Sequence, residues 1–137
     1  MTGEDFRRIA LALPDAVEAS HRGHPYFRVG KKIFATLGYP DAGCGMVKLM
    51  PEQQAVVVAA EPDIFVPVAG GWGRGGSTNV RLAAADAVAL ESALTMAWRN
   101  VAPQAVVKRR DGARAAARDE RARAARRDRV EQRPVKQ

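Results

Sequence analysis

A chain of 137 residues with 47% hydrophobic residues and a single cysteine has room for one domain with a modest core and none for an internal disulfide. Residues 1–107 carry ten Lys/Arg against ten Asp/Glu, whereas residues 108–137 carry twelve against five, so the whole formal charge of +7 lies in the tail. No apolar run approaches the ~18–20 residues that span a bilayer. The acidic start Met1-Thr2-Gly3-Glu4-Asp5 lacks the apolar stretch of a signal peptide. With Cys44 alone, the expectation is a soluble, cytoplasmic, monomeric protein.

Phe6, Ile9, Ala10 and Leu13 recur at i, i+3, i+4 and i+7, which predicts a first helix over residues 3–13, capped by Thr2 with Asp5 and stopped by Pro14. Val17, Ala19 and His21 then alternate with Glu18, Ser20 and Arg22. The runs Tyr26-Phe27-Arg28-Val29 and residues 32–37 are β-prone, and their Gly30-Lys31 link suits a type II′ hairpin. After a turn cluster at residues 38–43, residues 45–49 give a fourth strand of an antiparallel meander. Pro51-Glu52-Gln53-Gln54 opens a second helix over 51–60. A loop with five glycines between Gly70 and Gly76 follows, then a fifth strand in which Thr78, Val80 and Leu82 alternate with Asn79 and Arg81. Asp86 caps a third helix bearing the stripe Leu90, Ala93, Leu94, Ala97, Trp98 and Val101.

The expected order is α-β-β-β-β-α-β-α. It describes an α+β fold, a five-stranded antiparallel sheet with helices on one face, occupying residues 1–107. Residues 108–137 form a separate Arg/Ala-rich tail, helical or disordered, in which Arg110, Arg114, Arg118 and Arg121 share one helical stripe.

Two blocks carry a resemblance to a known family. His24-Pro25-Tyr26-Phe27-Arg28-Val29, running on through Lys32-Ile33-Phe34-Ala35, resembles the first block of the MmcQ/YjbR-like family of small bacterial proteins. Residues 71–82, a Trp-Gly loop feeding a strand, resemble its second. Lys48–Gln54 and the Ala97-Trp98 pair also match. The resemblance covers about residues 3–103. It implies a frataxin-like (CyaY-like) fold and a "double wing" surface described as DNA-binding; the basic tail lies outside it.

The glycine-rich loop is not a nucleotide cradle, since Gly76-Ser77-Thr78 has no Lys and leads into a strand. Its bland reading is a flexible connection with Trp72 folded back on the sheet. Its functional reading is a wing tip, with Arg74 for phosphate and the Trp72 indole for stacking. Lys31 and Lys32 at the first hairpin tip, with Arg28 and Lys48 on neighbouring strands, are either a charge-protected sheet edge or the first wing of a DNA-binding surface. His21 and His24, spaced H-x-x-H with only Cys44 as another soft ligand, do not make a metal site, and no nucleophile–base set emerges. No cofactor or metal and no catalysis are expected.

Two functions compete. The first is a non-enzymatic nucleic-acid-binding protein, DNA favoured over RNA, using Arg28, Lys31, Lys32, Trp72, Arg74 and Arg81 on the body and Arg110, Arg114, Arg118 and Arg121 on the tail. The second is a protein- or ligand-interaction domain of the same fold, whose tail solubilises the chain or docks on an acidic protein. Neutrality of the body counts against strong intrinsic DNA binding, and the composition of the tail counts for it.

Overall fold

In the computed structural model, which describes residues 1–131, the first apolar stripe becomes helix α1 (Gly3–Leu11). Its start is a reciprocal capping box: the Asp5 N–H donates to Thr2 Oγ1 at 3.2 Å and the Thr2 N–H donates to Asp5 Oδ2 at 2.8 Å. It closes two residues earlier than expected. The Leu13 N–H has switched to Ala10 O, tightening the last turn, while the Leu13 side chain stays buried.

Four strands follow, β1 (Ala16–His21), β2 (His24–Val29), β3 (Lys32–Leu37) and β4 (Cys44–Lys48), each antiparallel to the next. Between β2 and β3, Gly30 takes φ +59° while Lys31 stays in the ordinary region, which fits the expected type II′ turn. Between β1 and β2 a second two-residue turn places both Arg22 and Gly23 at positive φ, the type I′ pattern. A bulge where Phe27 and Arg28 meet β3 leaves Phe34 without a partner, so Phe34 and Ala35 both turn into the core.

Helix α2 (Pro51–Ala60) starts with Pro at its first turn, and Gln53 Oε1 accepts the Met50 N–H at 2.8 Å. The sheet has six strands, not five. The missing one is β5 (Phe65–Pro67), only three residues long and containing a proline, a composition tolerated because it forms the sheet's edge. It pairs antiparallel with β6 (Ser77–Arg81), which inserts beside β4 to give the order β1-β2-β3-β4-β6-β5. Between β5 and β6 the glycine loop contains one helical turn, α3 (Gly71–Arg74).

Helix α4 (Ala87–Val101) is capped by Asp86, whose Oδ1 accepts the Ala89 N–H at 2.7 Å. With α1 it covers one face of the sheet. Phe6, Phe27, Phe34, Leu90, Leu94 and Trp98 are fully buried there, and the Phe6 and Phe27 rings lie 5.8 Å apart. Trp98 Nε1 donates to Pro14 O at 2.9 Å, which ties α4 to the end of α1. This first compact unit runs from Met1 to Pro103, four residues short of the expected boundary. The second begins at Gln104, and its described residues form one helix, α5 (Gln104–Glu131).

Candidate functional site

Strand register brings most of the expected body residues to one end of the sheet. The Gly30-Lys31 turn closes β2 on β3 there, so Arg28, Lys31 and Lys32 belong to that end. Lys48 ends β4 opposite Ser77 at the start of β6, directly after the turn that carries Trp72 and Arg74. Arg28 is partly committed: its Nη1 donates to Gly30 O at 2.6 Å and clamps the turn. Lys31, Lys32 and Arg74 are exposed. Arg81 is not brought to this group. It ends β6 opposite Cys44, at the other end of the sheet. Arg114, Arg118 and Arg121 are exposed on α5, and Arg110 is half-buried.

The glycine loop is not a flexible connection. A Cβ at Gly73 would collide with the Val68 carbonyl oxygen, and one at Gly76 with the Leu49 carbonyl oxygen, so these two glycines exist for close backbone approach. Gln54 of α2 locks the same turn, its Nε2 donating to Gly73 O at 2.9 Å, Ser77 O at 3.0 Å and Thr78 Oγ1 at 3.2 Å. Next to it, Gln53 and Asn100 exchange amide hydrogen bonds of 2.8 and 3.2 Å, and Asn100 Nδ2 also reaches Lys48 O. The rigid turn holds Trp72 outward. Trp72 is 71% exposed, and the Lys48 ammonium stands 5.8 Å from the centre of its ring.

On the sheet face opposite α1 and α4 lies a groove of about 1060 Å³. Its floor is one cross-strand rung, Tyr26, Thr36, Met46 and Asn79, in register over four neighbouring strands. Tyr39 and His24 stand at one end, rings edge to face at 5.5 Å, and Trp72 at the other. The rung is not legible in the linear sequence, because its members lie on four strands, about ten or more residues apart. Three of its four members, Tyr26, Thr36 and Asn79, are polar or aromatic, a signal visible only once the register is known.

The tight type I′ turn makes His21 and His24 direct cross-strand partners, a closeness that the H-x-x-H spacing argument did not anticipate. No third ligand joins them: among the described residues no group of three His, Cys, Asp or Glu side chains could hold a metal ion. Burial, followed by the nearby Asp41 carboxylate, pushes the Cys44 thiol up, which keeps it protonated and poorly nucleophilic at neutral pH. No helix among the described residues is long and apolar enough to cross a membrane.

A family model, YjbR, matches residues 11–100, which include both glycine-turn and hairpin blocks. The chain belongs to the YjbR family. The crystal structure of Deinococcus radiodurans protein DR2400, a DUF419 domain, is similar over 71% of this chain and 75% of its own, with 20% identity and a TM-score of 0.59. At that identity the likeness speaks for the fold of a YjbR protein. No curated protein matches the chain. The YjbR match ends at residue 100, so α5 lies outside the matched residues.

Proposed function

We propose that this YjbR-family chain is a cytoplasmic, non-enzymatic nucleic-acid-binding protein, DNA favoured, acting as a monomer. The observation that carries the reading is the segregation of charge. The tail holds the entire +7, and five of the ten Lys/Arg of residues 1–107, namely Arg28, Lys31, Lys32, Lys48 and Arg74, gather at one end of the sheet beside an exposed tryptophan. Cations there suit phosphate, and an outward indole on a rigid turn suits stacking. The family resemblance implies a frataxin-like arrangement of this sheet and its helices, which we propose with it.

The stripe on α5 would supply most of the affinity through counterion release. Each neutralised phosphate gives a log–log salt slope of about −0.9, so five to seven tail contacts predict a slope near −5 for duplex DNA. Removal of residues 108–137 should flatten the slope and cost most of the affinity, measured by titrating one duplex at several salt concentrations. A truncated chain that binds as tightly with the same slope would refute the role of the tail. The second reading, a ligand- or protein-interaction domain, is favoured by one observation, the apolar groove across the sheet.

A further inference from the structure

The groove differs in chemistry from the cationic end of the sheet. Its surface is mainly carbon, with aromatic rings at the floor (Tyr26), at one end (Tyr39) and at the other (Trp72). Its basic lining consists of Arg22, His21 and His24, with no carboxylate among the residues that form it. Polar edges are few and fixed: Asn79 and Thr36 in the floor rung, and Ser77 beside Trp72. At about 1060 Å³ the space reaches the upper limit of the ~300–1,000 Å³ that encloses a compact ligand, and it is open along the sheet. Those features describe a site for an extended anion that carries flat rings.

We propose that the groove holds unpaired nucleotides of a single-stranded nucleic acid, with bases against Tyr26, Tyr39 and Trp72 and phosphates toward Arg22 and Lys48. This rests on the nucleic-acid reading above and specifies its substrate class. An open sheet face bearing aromatic side chains is a general solution for stacking splayed bases, because every base has a π-face. Bases inside a duplex are already stacked and cannot reach the rings. Charge complementarity points the same way, since Arg22 in the groove lining and Lys48 over the Trp72 ring are both positive and no carboxylate is among the described residues that line the groove. Phosphate contacts at α5 are indifferent to strandedness, whereas the groove is not.

The test compares the full-length chain with its Tyr26→Ala/Tyr39→Ala double variant on two probes, both side chains belonging to the groove alone and Trp72 kept as the reporter. One is a single-stranded oligothymidylate of about twelve nucleotides, within the ~4–16 that one small fold covers. The other is a duplex of the same length. In the native chain the oligothymidylate should quench Trp72 emission, with Trp98, fully buried, contributing no change. The double variant should bind the oligothymidylate about 10–100-fold more weakly, from the loss of base–aromatic stacking, and bind the duplex unchanged. Both side chains lie off the helix-covered core, so its melting should match the native chain, and the quenching measurement does not depend on the variant at all. An equal loss on both probes, or no loss and no quenching with the oligothymidylate, overturns the proposal and leaves the groove to a peptide or a small apolar ligand. A native chain that binds neither probe refutes the nucleic-acid reading itself, an outcome distinct from failure of the groove alone.

Discussion

Helices α4 and α5 form for opposite reasons. Over fifteen residues α4 buries Ala89, Leu90, Ala93, Leu94, Ala97 and Trp98, and its Trp98 is hydrogen-bonded to Pro14 O. In α5 every side chain from Asp111 to Val130 is exposed, and seventeen of its 28 residues are Ala or Arg. The first helix is held by tertiary burial and the second by the intrinsic preference of its residues for helical backbone. One amphipathic stripe with a cap therefore does the work that a long repetitive composition does elsewhere in the same chain. The two should fail under different perturbations.

The largest expected effect is in α4. Trp98→Ala removes a fully buried indole and its hydrogen bond, and should destabilise the first unit by about 3–5 kcal/mol in denaturant unfolding. A loss under about 1 kcal/mol would mean that burial is not what holds α4, since surface changes alone stay within ~0.5 kcal/mol. Gln54→Ala comes next. It strips Gly73 O, Ser77 O and Thr78 Oγ1 of a shared donor and should cost about 1–3 kcal/mol, with Gln54→Glu nearly as harmful because a carboxylate cannot donate. Equal stability of Gln54→Glu and the native chain would show that the amide is not the lock of the glycine turn. The smallest effect belongs to α5. Nothing lies within 4 Å of a Cβ built at Gly112, so Gly112→Ala should stabilise the helix by roughly 0.8–1 kcal/mol, seen as a rise in far-UV helicity. If helicity does not rise, α5 is governed by something other than local propensity, and the contrast with α4 dissolves.

Elements with a local cause were legible in the sequence. The Thr2/Asp5 box, the Gly30-Lys31 turn, the Asp86 cap and the α4 stripe are each decided by residues a few positions apart, and each stands where the periodicity puts it. Strand β5 was not legible because three residues with a proline carry no alternation to read. The rigidity of the glycine turn was not legible, and two readings of it stayed open, because glycine's two uses, positive φ and close approach, look alike in one dimension. Both uses operate here: Gly70 and Gly76 take positive φ, while Gly73 and Gly76 lie against the Val68 and Leu49 carbonyls. The candidate site divides in the same way: the positions of Lys31, Lys32, Trp72 and Arg74 could be read from their turns, whereas the meeting of Lys48 with Trp72 comes only through strand register. The place of Arg81 at the opposite end from this group was not legible for the same reason, since alternation gives a residue's face and not the end of the sheet it occupies.

The locked turn makes neighbouring positions unequal in what they tolerate. Gly73 and Gly76 admit no side chain, while residue 72, one position from the tightest contact, faces open solvent. Position 72 is therefore a display post: its side chain can be exchanged widely while the backbone beneath it keeps its place. A spectroscopic reporter attached there would tumble with the whole sheet rather than with a loop, so its anisotropy would record the motion of the first unit and of whatever comes to rest against that ring.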